Sequence, residues 1–135
     1  MNIAKTLAQY IKSKTSEGEV YYSSMPPGER AICVYEYDGK QKQEKLLPNI
    51  IPVTFKIVCR AADFDTCREC ADDMMKLFKN AGNEMWGHKP IVAENLEFIL
   101  ISPRGTPDVK RESEIGNIRI ALHFYAWVRT QKEAS

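Results

Sequence analysis

Pro52-Val53-Thr54-Phe55-Lys56-Ile57-Val58-Cys59-Arg60 and the stretch that follows it, to Gly82, decide the fold. In the first nine residues Val53, Phe55, Ile57 and Cys59 share one face, and Thr54, Lys56, Val58 and Arg60 the other. Period-two alternation rich in β-branched and aromatic residues predicts a half-buried strand. Pro52 is expected at its first position, where a missing N–H is tolerated. A long helix then follows almost at once. Asp63 is placed to accept from the free N–H groups of the first turn, and Asp65 puts negative charge at the positive end of the helix dipole. Cys67, Cys70, Ala71, Met74, Leu77, Phe78 and Ala81 recur at spacings of three and four and form one apolar stripe. Gly82 stands where a left-handed residue closes a helix, with Lys76 and Lys79 at the negative end.

Outward from this unit, the chain reads as more sheet and one further helix. Residues 2 to 14 carry the stripe Ile3, Leu7, Tyr10 and Ile11 and predict a helix. Short strands are expected over 19 to 23 and 30 to 37, separated by the Pro26-Pro27-Gly28 turn. Asp38-Gly39 signals another turn, and the polar run Lys40 to Lys45 an exposed loop. Past the long helix, 94 to 102 predicts a strand in which Leu96, Phe98 and Leu100 oppose Glu97, Ile99 and Ile101. Residues 103 to 116 are expected to be a charged loop. From Asn117 to Arg129, Ile118, Ile120, Leu122, Phe124, Ala126 and Val128 alternate against Arg119, Ala121, His123, Tyr125, Trp127 and Arg129, which predicts the longest strand. The expected fold class is α+β, an open α/β sandwich. Its sheet has five to six strands, mostly antiparallel or mixed, with two helices packed on it.

The chain has 135 residues and a net charge of +1, which suits one domain spanning 1 to 135 with a polar tail over 131 to 135. Near-zero net charge gives no bulk attraction to nucleic acid or an anionic membrane. No apolar run approaches the ~20 residues of a membrane-spanning helix. The N-terminus lacks the apolar core and cleavage site of a signal peptide, so Cys33, Cys59, Cys67 and Cys70 read as reduced, buried thiols.

Candidate chemistry is thin. Cys67-x-x-Cys70 has the spacing of a metal or redox pair, but a zinc site wants four ligands, and His88 and His123 are not spaced to supply them. Both cysteines also belong to the apolar stripe. His123 could in principle pair with a thiol, yet no nucleophile elbow accompanies it, and a hydrogen-bonded structural histidine is the favoured reading. No catalytic, cofactor-binding or metal-binding set is expected, and no enzyme activity. The basic residues Lys40, Lys42 and Lys45, and Arg104, Lys110 and Arg111, are diluted by interleaved acids, which disfavours nucleic-acid binding. Tyr125 and Trp127, bracketed by Arg119 and Arg129, combine aromatic anchors and arginines as protein interfaces do. The alternative is that a helix covers that face.

Taken together, the N-terminal Ile3-Ala4-x-x-Leu7 helix, the Pro-led strand with its helix from Asp63-Phe64, the late Ile101-x-Pro103, the Asp108–Arg111 segment and the final alternating strand resemble the tail-terminator and minor capsid proteins of long-tailed bacteriophages and prophages. The resemblance covers residues 3 to 128. It implies a structural virion protein made in the bacterial cytoplasm and located in the tail or neck. Such a protein forms a ring, commonly six-fold, that ends the tail tube and joins it to the head connector, with DNA passing through. It implies no cofactor. Lys40, Lys42, Lys45, Arg104, Asp108, Lys110, Arg111, Tyr125 and Trp127 are the residues expected to meet a neighbouring subunit or the tube. Other readings are a small redox or metal protein using Cys67 and Cys70, and an adaptor domain unrelated to phage.

Overall fold

The computed structural model describes residues 3–15, 19–25, 30–36, 50–79, 91–93, 96–111 and 117–130. The elements run α1 (Ile3–Lys14), β1 (Val20–Tyr22), β2 (Ala31–Glu36), β3 (Ile50–Ala61), α2 (Phe64–Lys79), β4 (Ile91–Ala93), β5 (Leu96–Pro103), β6 (Asp108–Arg111) and β7 (Ile118–Thr130). The strands form one seven-stranded sheet in the order β1-β2-β3-β7-β5-β4, with β6 also paired to β7. Every pairing is antiparallel except β1 with β2. The fold is therefore α+β with a mixed sheet, as expected, but with more strands after α2.

β3 is longer and deeper than its alternation suggests. It lies between β2 and β7, and its outer residues Thr54, Val58 and Arg60 are buried as well as its core face. Pro52 is its third residue, not its first, and lies opposite Trp127. Among the described residues β2 ends opposite Phe55, so Pro52 sits beyond it, where the lack of an N–H costs no ladder bond on that side.

Both helices pack on one face. The core joins Ile3, Leu7 and Ile11 of α1 to Cys67, Met74 and Phe78 of α2 through the inward residues of β2, β3, β5 and β7. At its centre Phe55 stacks on Phe124 with ring centroids 5.1 Å apart, and Phe78 tilts against Phe124 at 5.4 Å. Offset and edge contacts of this kind suit the ring quadrupole and add to the area buried. α1 contacts β1 and β2 at one end of the strand order and β4 at the other, so the sheet curls around it. α2 begins as predicted: the Thr66 N–H donates to an Asp63 carboxylate oxygen at 3.0 Å and the Thr66 hydroxyl to the other at 2.7 Å. Those bonds hold the Asp63 carboxyl below its usual range.

Two expectations for the C-terminal third change. The alternation of β5 breaks at a bulge between Phe98 and Leu100. Leu96 and Phe98 face the core, but beyond the bulge it is Ile101 that does so, and Leu100 turns outward opposite Trp127. One extra residue in a strand reverses which side chains face in. Residues 103 to 116 are also not simply a loop. Pro103 ends β5, and Asp108–Arg111 forms β6, in register with residues 118 to 121. Gly105, at φ 72°, makes the turn between them, in a conformation that glycine adopts without strain. The Arg104 N–H donates to the His123 carbonyl at 2.8 Å and holds the connecting chain against β7. The expectations for Asp38-Gly39, Gly82, His88 and the tail from 131 fall outside the described residues.

Candidate interaction surface

The outward side chains of β7 are Arg119, Ala121, His123, Tyr125, Trp127 and Arg129, and all are half-buried. Register adds Lys110 opposite Arg119, Ser102 opposite Tyr125, Leu100 opposite Trp127 and Glu97 opposite Arg129. On the other side Arg60 lies opposite Arg119 and Lys56 opposite His123. Since α1 and α2 both lie on the opposite side, no helix among the described residues covers this face. Its β2–β3 side is nonetheless covered, since Ala31, Cys33, Val58 and Arg60 on it are buried.

The face has two ends of different character. At the β4 end sit Leu100, Trp127, Tyr125 and the exposed Val92. The indole N–H of Trp127 donates to the Tyr125 hydroxyl at 2.7 Å, so the two rings brace each other. The Arg129 Nε–H donates to Glu97 at 3.2 Å. At the β6 end cations gather. Lys110, Arg119 and Arg60 form one row across β6, β7 and β3, and Lys56 lies two rows further along β3, past Val58. Arg104, whose N–H binds the His123 carbonyl, joins the same end. Like charges set directly across a sheet repel. Asp108 lies among them, its carboxylate 2.9 Å from His123 Nε2. His123 is thus a hydrogen-bonded histidine on the sheet face. Its Asp108 contact is also a side-chain link between β7 and β6, whose four residues are all exposed.

Of the residues singled out in the sequence, Arg104, Asp108 and Lys110 come together at the cationic end, and Tyr125 and Trp127 at the aromatic end. Arg111 is opposite Ile118, on the helix side, so it is separated from them. Lys40, Lys42 and Lys45 lie outside the described residues. Sequence reading did not link Lys56, Arg60 or Leu100 to this face. The first two follow only from the pairing of β3 with β7, and the third only from the bulge.

The cysteines form no disulfide and all four are buried. The Cys67 sulfur lies 3.2 Å from the Cys59 carbonyl and 3.3 Å from that of Ile118, so its S–H is held by the sheet end. Burial, reinforced by Cys70 beside it, pushes the Cys67 thiol up to about 11. A reactive thiol needs the opposite shift. Tyr35, beyond Lys56 on the outer face, is pushed up to about 12 by burial and by its bond with Cys33. Among the described residues no three His, Cys, Asp or Glu side chains converge as metal ligands would. A groove of about 520 Å³ runs between α2 and the end of β5, with Met75, Phe78, Ile101 and Phe124 among its lining.

The chain was compared with known proteins. A chain in the virion of a native gene transfer agent (GTA) particle has the same fold, with a TM-score of 0.67 and 17% identity over 94% of each chain. No family model matches the sequence. No curated protein matches it either.

Proposed function

We propose that this chain is a non-enzymatic structural protein of a tailed phage or phage-like particle. In this reading it forms a ring at the end of the tail tube and joins the tube to the head connector. The observation that carries the reading is the likeness, over nearly the whole of both chains, to a chain of a gene transfer agent virion. The physical character of the surface supports it. Cyclic rings use heterologous contacts, in which one patch meets a different patch on the neighbour. This chain offers a sheet face that neither α1 nor α2 covers, with aromatic anchors at one end and cations at the other. The segment over 40 to 45, with Lys40, Lys42 and Lys45, is assigned to the contact with the neighbour or the tube.

The reading is tested in two steps. Light scattering over a wide concentration range should give the mass of a closed oligomer, with a hexamer the expected state. Deleting residues 40 to 45 should leave the monomer folded and abolish tail assembly in an infected or induced host. Normal tails after that deletion would remove this segment from the mechanism. A chain absent from purified particles would remove the virion reading itself.

A further inference from the structure

β1 and β6 lie at opposite edges of the sheet. Among the described residues β1 pairs only with β2, and β6 only with β7. They stand at the same height: Val20, Ile32, Cys59, Ile120 and Val109 form one row across β1, β2, β3, β7 and β6. They run in opposite directions, since β1 is parallel to β2 and each later step, β2 to β3, β3 to β7 and β7 to β6, is antiparallel. Backbone groups of successive strand residues point to alternate sides. The Glu19 carbonyl accepts from the Ile32 N–H and the Ser23 N–H donates to the Val34 carbonyl, so Val20 and Tyr22 turn their groups away from β2. The His123 carbonyl accepts from the Arg104 N–H on the β5–β6 side of β7. Ala121 and Arg119 therefore aim at β6, where Asp108 and Lys110 meet them, and Val109 and Arg111 turn theirs outward. The side chains of Val20, Tyr22, Val109 and Arg111 all lie on the helix side of the sheet, in register with core residues. There Tyr22 is 42% and Val109 54% exposed. α1 packs on β1, β2 and β4, and α2 on β3, β5 and β7, which leaves Val109 uncovered. Edge strands are ordinarily guarded by charge, but Val20–Tyr22 carries none.

From this we infer that β6 of one copy pairs antiparallel with β1 of the next, so that one sheet runs on from copy to copy. The inference rests on the ring reading and names the two edges that join the ring. Opposite strand directions at opposite edges are what a rotation from one copy to the next brings together, with the helices kept on one side. The register that uses every outward backbone group sets Val109 opposite Tyr22 of the next copy and Arg111 opposite its Val20. Lys110 then lies, on the outer face, opposite Tyr21 of the next copy, whose hydroxyl donates to Glu19. The exposed side chains of Val109 and Tyr22 become an aromatic and β-branched cross-strand pair, a favourable combination. α1 of the next copy, which packs on its own β1, is brought toward the uncovered side of β6. Main-chain hydrogen bonds supply the strength of such a strand addition, and the side chains fix its register. Because the two edges differ, each copy uses one for the neighbour before it and one for the neighbour after it.

The test is a cross-link between copies of the full chain. Residues paired in this way have Cα atoms ~5.5 Å apart, within the span of a disulfide. The four native cysteines are buried, so an introduced thiol at an exposed edge is the accessible one. Val109→Cys and Tyr22→Cys are made singly and together, and circular dichroism and thermal melting confirm that each is folded. Under mild oxidation an equimolar mixture of the two single variants should give a disulfide-linked dimer. The double variant should give a ladder that stops at the number of copies in the ring. Each single variant alone should stay unlinked; a disulfide between two copies of the same single variant shows a like-with-like contact and overturns the inference. Val109→Pro removes the outward N–H and keeps the ladder to β7, and should weaken association about tenfold or more. Should the proline unfold the chain, Val109→Asp, at a position exposed in the single copy, replaces it. A closed oligomer by light scattering whose mixed variants give no dimer overturns the edge pairing but leaves a ring built on other surfaces standing. A wild-type chain that is monomeric at every concentration, with mixed variants that stay unlinked, overturns the self-contact itself. A disulfide from Val109→Cys to a different protein in purified particles gives this edge to that partner, and the inference fails.

Discussion

The two faces of β7 share one backbone and one set of ladder hydrogen bonds, yet have opposite environments. Ile118, Ile120, Leu122, Phe124, Ala126 and Val128 are at most 5% exposed, against α2 and in the core that α1 also closes. Arg119 through Arg129 on the alternate positions are half-buried under no helix among the described residues. The inner face supplies the burial that makes the chain fold. The outer face is polar enough to stay in water alone and aromatic enough to gain from being covered. Changes on the first face should therefore be read in stability, and changes on the second in association.

The largest expected effect lies on the inner face. Phe124→Ala removes a ring that contacts both Phe55 and Phe78 and should lower unfolding free energy by ~3–5 kcal/mol in urea titration. A loss below ~1 kcal/mol would mean that the aromatic centre does not organise the core. Alkaline pH sets the two layers against each other by a different route. Cys67, under the helix, and Tyr35, on the outer face, have folded-state values raised above their ordinary 9.0 and 10.0. A raised value contributes stability that is present below the ordinary value and lost as pH climbs through the folded one. The urea midpoint should fall between about pH 9 and 11 through Cys67, and again between 10 and 12 through Tyr35. Cys67→Ala should shrink the first decline to the part that Cys33, also raised by burial, contributes, and keep the second.

On the outer face the effects on folding are smaller. Tyr125→Phe removes the acceptor of the Trp127 indole N–H and should cost ~0.5–1.5 kcal/mol of stability. Val92→Thr, at an exposed position of β4, should change stability by no more than about 0.5 kcal/mol. Effects on this face that matched Phe124→Ala would show that it is a second core. Asp63→Ala sharpens the contrast at the helix start. It should lower the thermal midpoint at neutral pH, and the gap to wild type should close as pH falls through the carboxyl's folded value, below 3.8. A gap independent of pH would show that the cap does not act through the charged carboxylate.

Much of this was legible in the sequence where one residue pattern decides one outcome. The stripe of α2, its Asp63 cap and the two sides of β7 are of that kind. β6 was not legible, because Asp108–Arg111 is polar and exposed throughout and is a strand only by its register with β7. Nor was the end of β5, where Leu96 to Ile101 is apolar at five of six positions and gives no parity to follow. The cationic cluster illustrates a third limit. Arg60, Lys110 and Arg119 are distant in the chain and become one row only after three strands are aligned.

The bulge at Ile99 has a bearing on how this chain can change over generations. In a regular strand the loss or gain of one residue turns every later side chain to the wrong side. Here Ile99 is the surplus residue: without it Phe98 still pairs with Val128 and Leu100 with Trp127, and Leu96, Phe98, Ile101 and Pro103 keep their side of the sheet. A single-codon deletion at Ile99 is thus the one length change that β5 can absorb without reversing its faces, at the cost of one nearly buried side chain. Distant relatives that differ in length within this strand should place their gap there.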